Sequence, residues 1–82
     1  MSKHRDDIVL RDILNAAQLI AVFVEGFEKD AFMDDWKTRS AVLYQLTVVG
    51  EAAKRLSADY LLAHASVPWA RMAGMRDHLI HA

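Results

Sequence analysis

Cysteine is absent from this chain of 82 residues, proline occurs once and glycine three times. The missing thiols remove disulfides, thiolate nucleophiles and zinc-thiolate sites together, which fits a reducing compartment and leaves His, Asp, Glu and Arg as the available chemistry. The scarcity of Gly and Pro, beside 54% hydrophobic and 26% charged residues, excludes a disordered tail, a collagen-like repeat and a turn-rich β-sandwich. No run approaches ~18 uninterrupted apolar residues. The opening Met1-Ser2-Lys3-His4-Arg5-Asp6-Asp7 is polar and mixed in charge. Neither a membrane span nor a signal peptide is expected, and the predicted location is cytoplasmic. An excess of positive charge is also lacking: ten Lys plus Arg stand against eleven Asp plus Glu, so no bulk field advertises nucleic acid as a partner. The length allows one domain, residues 1–82, which by the size rule buries only roughly 60 to 65% of its unfolded surface.

What is present is helical periodicity. From Asp6 to Phe27 the residues Leu10, Ile13, Ala17, Ile20, Val24 and Phe27 recur at steps of three or four, the stripe of an α-helix. Ile8, Leu14, Leu19 and Phe23 widen that stripe and imply a second packing surface. Gly26 permits the chain to leave, and residues 28–35 read as a connection in which Phe32 and Met33 pin a turn. Asp34 and Asp35 offer N-cap carboxylates to a second helix, read over Ser40 to Leu56 from Val42, Leu46, Val49, Ala53 and Leu56. Gly50 falls in its middle at a cost of ~1 kcal/mol relative to Ala, which either close approach of another backbone or simple tolerance explains. Ser57 caps a short piece through Leu62, and Pro68 suits the first turn of a helix carrying Trp69, Met72, Met75, Leu79 and Ile80. The prediction is an all-α fold, a small antiparallel helical bundle. Its wide apolar stripes would bury poorly alone, so a homodimer or higher homo-oligomer is expected. The periodic pattern is interrupted at His81-Ala82, and the bundle is expected to lack its last helix.

Chemistry concentrates at one end, where Arg76, Asp77, His78 and His81 fall within six positions. Arg76 and His81 diverge by about 140° around one helix axis, so they share a cleft most naturally where a two-fold axis brings a second copy alongside. A neutral imidazole can take a proton from a ribose 2′-hydroxyl or give one to a leaving 5′-oxygen, while a guanidinium holds the phosphate. The ordinary alternative is a surface ion pair for Arg76 and an exposed or satisfied helix histidine. His78 and His81 at i, i+3 suggest a metal site only if other helices complete the shell, and no Glu-x-x-His pair or thiolate is present to do so. No metal and no cofactor are therefore expected. Asp6-Asp7 and Asp34-Asp35 read as caps or solvated acids, and His64 as a residue able to meet helix-terminal carbonyls.

Several segments together carry a resemblance. Leu10-Arg11-Asp12-Ile13-Leu14, Val49-Gly50-Glu51-Ala52-Ala53-Lys54-Arg55-Leu56-Ser57, Val67-Pro68-Trp69 and Gly74-Met75-Arg76-Asp77-His78-Leu79-Ile80-His81 are similar to the helices and the Arg-x4-His motif of HepT-like toxins of the HEPN superfamily. The resemblance runs nearly end to end. It implies a HEPN-like bundle acting as a homodimer whose two motifs face each other and cut RNA without a metal. Arg76 and His81 take the catalytic positions and Asp77 a supporting one. The resemblance further implies the toxin of a toxin-antitoxin pair, silenced by an MntA-type minimal nucleotidyltransferase that attaches AMP to the tyrosine of Arg-x4-His-x-Tyr. Ala82 follows His81 and that tyrosine is not present, so weakened cleavage and altered regulation are expected. The alternative is a non-catalytic helical dimer that binds the nucleotidyltransferase or RNA through the same face.

Overall fold

The computed structural model describes residues 2–74, and among them it shows five helices and no strand. Two long helices form the principal pairing: α1, Ser2–Val24, and α3, Trp36–Lys54. They run antiparallel, since Asp6 and Asp12 near the start of α1 meet Ser57 and Arg55 just beyond the end of α3. The turn out of α1 is made by Gly26 at φ 79°, a left-handed conformation that a side chain would strain. The short helices α2, Lys29–Asp34, α4, Ala58–Ala63, and α5, Trp69–Ala73, complete the described fold.

The seam of α1 is rotated by about one residue from its predicted stripe. Val9 and Ala16 are buried where Leu10 and Ala17 were expected, and Leu10, Ile13 and Ile20 are half-buried. The run Ile8-Val9-Leu10 and the pair Ala16-Ala17 satisfy either register by periodicity. Asp6 decides between them, because its contact with Ser57 fixes the rotation of the helix. Val9, Ala52 and Leu56 form the centre of the core, with Leu10, Ile13, Tyr60, Leu61 and Trp69 packed against it.

Two further boundaries differ from expectation. The connection at 28–35 contains α2, opened by the Phe32 N–H donating to the Glu28 carbonyl at 2.9 Å; six residues are too few to reveal a helical period. The next helix begins at Trp36 rather than Ser40 because Asp35 Oδ1 accepts the Thr38 N–H at 3.1 Å, and this cap precedes any periodic apolar residue. Of the residues expected to form a second packing surface, Ile8, Leu14 and Leu19 are exposed and Phe23 is half-buried. Val22 on α1, Trp36 and Tyr44 on α3, and Leu62 on α4 lie outside that expectation and are also more than half exposed. Among the described residues no helix is long and apolar enough to cross a membrane.

Candidate active site and its approach

Arg76, Asp77, His78 and His81 lie outside the described residues. The structure describes the elements that lead to them, and α5 is the last of these. A Cβ built on the buried Gly50 would stand 2.8 Å from the Met72 carbonyl oxygen and 3.4 Å from that of Ala73. Real Cβ atoms do not tolerate the first distance, so only glycine lets the backbone of α5 rest on α3 at this point. Of the two explanations that the sequence left open for Gly50, close backbone approach holds.

The other end of α5 is anchored through aromatic side chains. The Trp69 indole Nε1–H donates to the His64 carbonyl at 2.9 Å, and its ring meets Tyr60 edge-on with centroids 5.8 Å apart. Tyr60 stacks on the His64 ring at 4.1 Å. The His64 Nδ1 lies 3.1 Å from the Tyr60 carbonyl; a carbonyl only accepts, so this bond requires the proton on Nδ1. His64 therefore meets a terminal carbonyl of its own helix, as its position suggested.

Beneath this layer is a buried carboxylate. Asp6 is 5% exposed, and its Oδ1 accepts the Ser57 N–H at 2.8 Å while its Oδ2 accepts the Ser57 hydroxyl at 2.6 Å. The same hydroxyl oxygen accepts the Tyr60 N–H at 3.1 Å and so caps α4. Asp6 is thus neither an N-cap of α1 nor a solvated acid, contrary to the sequence reading. Both of its oxygens are satisfied, which makes its burial affordable and orients Ser57 to start α4. Nothing local signals this contact, because its partners are 51 residues apart. Arg55 and Asp12 pair at 3.1 Å on the surface, where screening leaves such a bond a small contribution. Among the described residues no three His, Asp or Glu side chains converge as a metal-binding group.

These elements make a chain of support from Asp6 through Ser57, Tyr60 and Trp69 to α5, which Gly50 seats on α3. They define a helical-bundle protein whose Arg-x4-His segment follows directly in sequence from a helix held at both ends. The chain belongs to the HepT-like ribonuclease family: the family described as "Ribonuclease HepT-like" matches residues 13–82. A relative from Thermococcus cleftensis, named as a probable ribonuclease HepT, is 42% identical over 79 residues, covering 96% of this chain and 70% of that protein. Another, from Methanocaldococcus jannaschii and provisionally named an RNase, is 43% identical over 72 residues, covering 88% of this chain and 60% of that protein. A third provisionally named RNase, from Caldanaerobacter subterraneus, is 36% identical over 72 residues, with 88% of this chain and 64% of that protein covered. The chain therefore spans about two thirds of the length of these relatives. No solved structure matches it.

Proposed function

We propose that this chain is the toxin of a cytoplasmic toxin-antitoxin pair, an endoribonuclease that cleaves RNA without a metal ion. The observation that carries this reading is the family match over residues 13–82, which includes the whole Arg76-to-His81 segment. The seating of α5 on α3 at Gly50 fixes the last described element before that segment.

In the proposed reaction a ribose 2′-hydroxyl attacks the adjacent phosphorus and the bond to the 5′-oxygen breaks. The products are a 2′,3′-cyclic phosphate and a 5′-hydroxyl. His81 transfers the proton, either from the attacking hydroxyl or to the leaving oxygen, and the Arg76 guanidinium holds the phosphate as charge accumulates on it. Asp77 orients a neighbour. Two copies form a homodimer with their motifs facing, which also covers apolar side chains left open on a lone protomer. The protein partner in this reading is an MntA-type minimal nucleotidyltransferase acting as antitoxin.

The test is cleavage of single-stranded RNA in excess EDTA, with end-group analysis of the products. Fragments ending in 2′,3′-cyclic phosphate support the reading. Cleavage abolished by EDTA and restored by a divalent ion contradicts the metal-free chemistry, and RNA bound but never cut favours the non-catalytic binding module.

A further inference from the structure

At the junction of α2 and α3 the structure holds an open cleft of about 450 Å³, lined by Phe32, Met33, Trp36, Arg39, Leu43 and Leu46 among others. This is the size range of small-ligand sites. Trp36 lines it and is 68% exposed, an unusual position for so large an apolar group. It occupies the first position of α3, where the Asp35 cap fixes the backbone beneath it. Arg39, three residues further along and therefore on the same face of α3, lines it as well. Its Nη1–H donates at 3.1 Å to the carbonyl of Met33, another lining residue. Among the described residues no carboxylate pairs with it: the two ion pairs there are Lys54–Glu51 and Arg55–Asp12.

We propose that this cleft is a subsite for one unpaired nucleotide of an RNA strand, with the base stacked on Trp36 and the adjoining phosphate on Arg39. The proposal rests on the ribonuclease reading for its substrate class. A flat, exposed indole beside one unneutralised guanidinium matches a π-face joined to a single negative charge, and base stacking on an aromatic side chain is tolerant of sequence. The acidic residues of this region, Asp30 and Asp34 among them, oppose long-range attraction of a polyanion. Stacking and one local phosphate contact are therefore expected to dominate the affinity. Trp36 precedes Gly50 by fourteen residues on one helix, roughly 21 Å at the α-helical rise. Leu46, at the other end of the cleft, is four residues from Gly50, about 6 Å, so the cleft runs from the first turn of α3 to within about one turn of the place where α5 docks, with Trp36 at its far end.

The experiment is anisotropy of labelled single-stranded RNA titrated with the His81→Ala protein, alone and combined with Trp36→Ala, Trp36→Phe or Arg39→Gln. Thermal melts serve as the folding control, and both side chains are exposed enough for the variants to fold. Trp36→Ala should weaken binding about tenfold while Trp36→Phe retains most of it. Arg39→Gln should weaken binding and reduce the slope of log affinity against log salt by roughly 0.7, one phosphate contact. Equal affinity for all four proteins overturns the subsite. So does absence of RNA binding together with a concentration-dependent loss of acrylamide quenching attributable to Trp36, which would make the cleft an interface between copies. Binding that depends on Trp36, from a wild-type chain that cuts no RNA, keeps the subsite and removes the ribonuclease reading. Cleavage and binding that ignore both substitutions remove the subsite alone.

Discussion

Gly50 and Met72 meet backbone to backbone: the space where a Gly50 side chain would begin is occupied, at 2.8 Å, by the Met72 carbonyl oxygen. This contact ties the last third of α3 to the last described helix before the Arg-x4-His segment. Its effect on a substitution has a sign that helix propensity alone gives wrongly. Gly50→Ala gains about 1 kcal/mol of propensity and loses about 1 to 3 kcal/mol to overpacking against a backbone that cannot rotate away. The expected outcome is net destabilisation, by up to about 2 kcal/mol in thermal or urea melts. A more stable Gly50→Ala protein would mean that α5 does not rest on α3 as described.

Asp6 accepts two hydrogen bonds from Ser57, and one of those donors in turn caps α4. Bonds to a charged group contribute about 1.5 to 3 kcal/mol, so Asp6→Ala should lower stability by roughly 2 to 3 kcal/mol. For a domain of this size that is a fall in Tm of at least about 8 °C. Asp7→Ala, the substitution of its exposed neighbour, should fall within about 0.5 kcal/mol of wild type. A double-mutant cycle of Asp6→Ala with Ser57→Ala should show coupling through the one bond that both remove, from the Ser57 hydroxyl to Asp6 Oδ2, since the Ser57 N–H remains in Ser57→Ala.

The contrast between those two acids shows what sequence reasoning can reach. Both read as caps or solvated acids, which Asp6 is not, and no local signal distinguishes them, because the partner of Asp6 lies 51 residues away in sequence. The helical class, the Gly26 exit, the Ser57 cap and the start at Pro68 were legible because each depends on neighbours within one or two turns. The rotation of α1 was not, since Ile8-Val9-Leu10 supplies an apolar residue to either register. The residues that carry the proposed chemistry were legible only through resemblance: Arg76 and His81 alone form no pattern that a surface helix would not also show.

Asp35 sets the first turn of α3 and with it the placement of Trp36 at the cleft. Removing the cap with Asp35→Ala should cost about 1 kcal/mol. Asp35→Asn and Asp35→Ser should recover most of that loss, because each retains an oxygen for the Thr38 N–H. Chemical denaturation of the four proteins checks this order. Equal stability of all four would remove the cap from the account.

If each active site is shared across a two-fold axis, inactive protomers can complement one another. Refolding a mixture of Arg76→Ala and His81→Ala chains should restore measurable cleavage, up to about half the sites of a mixed dimer, while each variant alone remains inactive. Light scattering should report the same dimer for all three preparations. A mixed dimer with no activity would place Arg76 and His81 of one chain in the same site.

The most direct measurement is the single-turnover rate of RNA cleavage by wild type and His81→Ala, purified identically and assayed in EDTA. A positioned acid-base group contributes about 10² to 10⁴-fold, so the variant should be slower by at least that lower figure with its melting temperature and oligomeric state unchanged. Equal rates for the two proteins would contradict the assignment of the chemistry to His81.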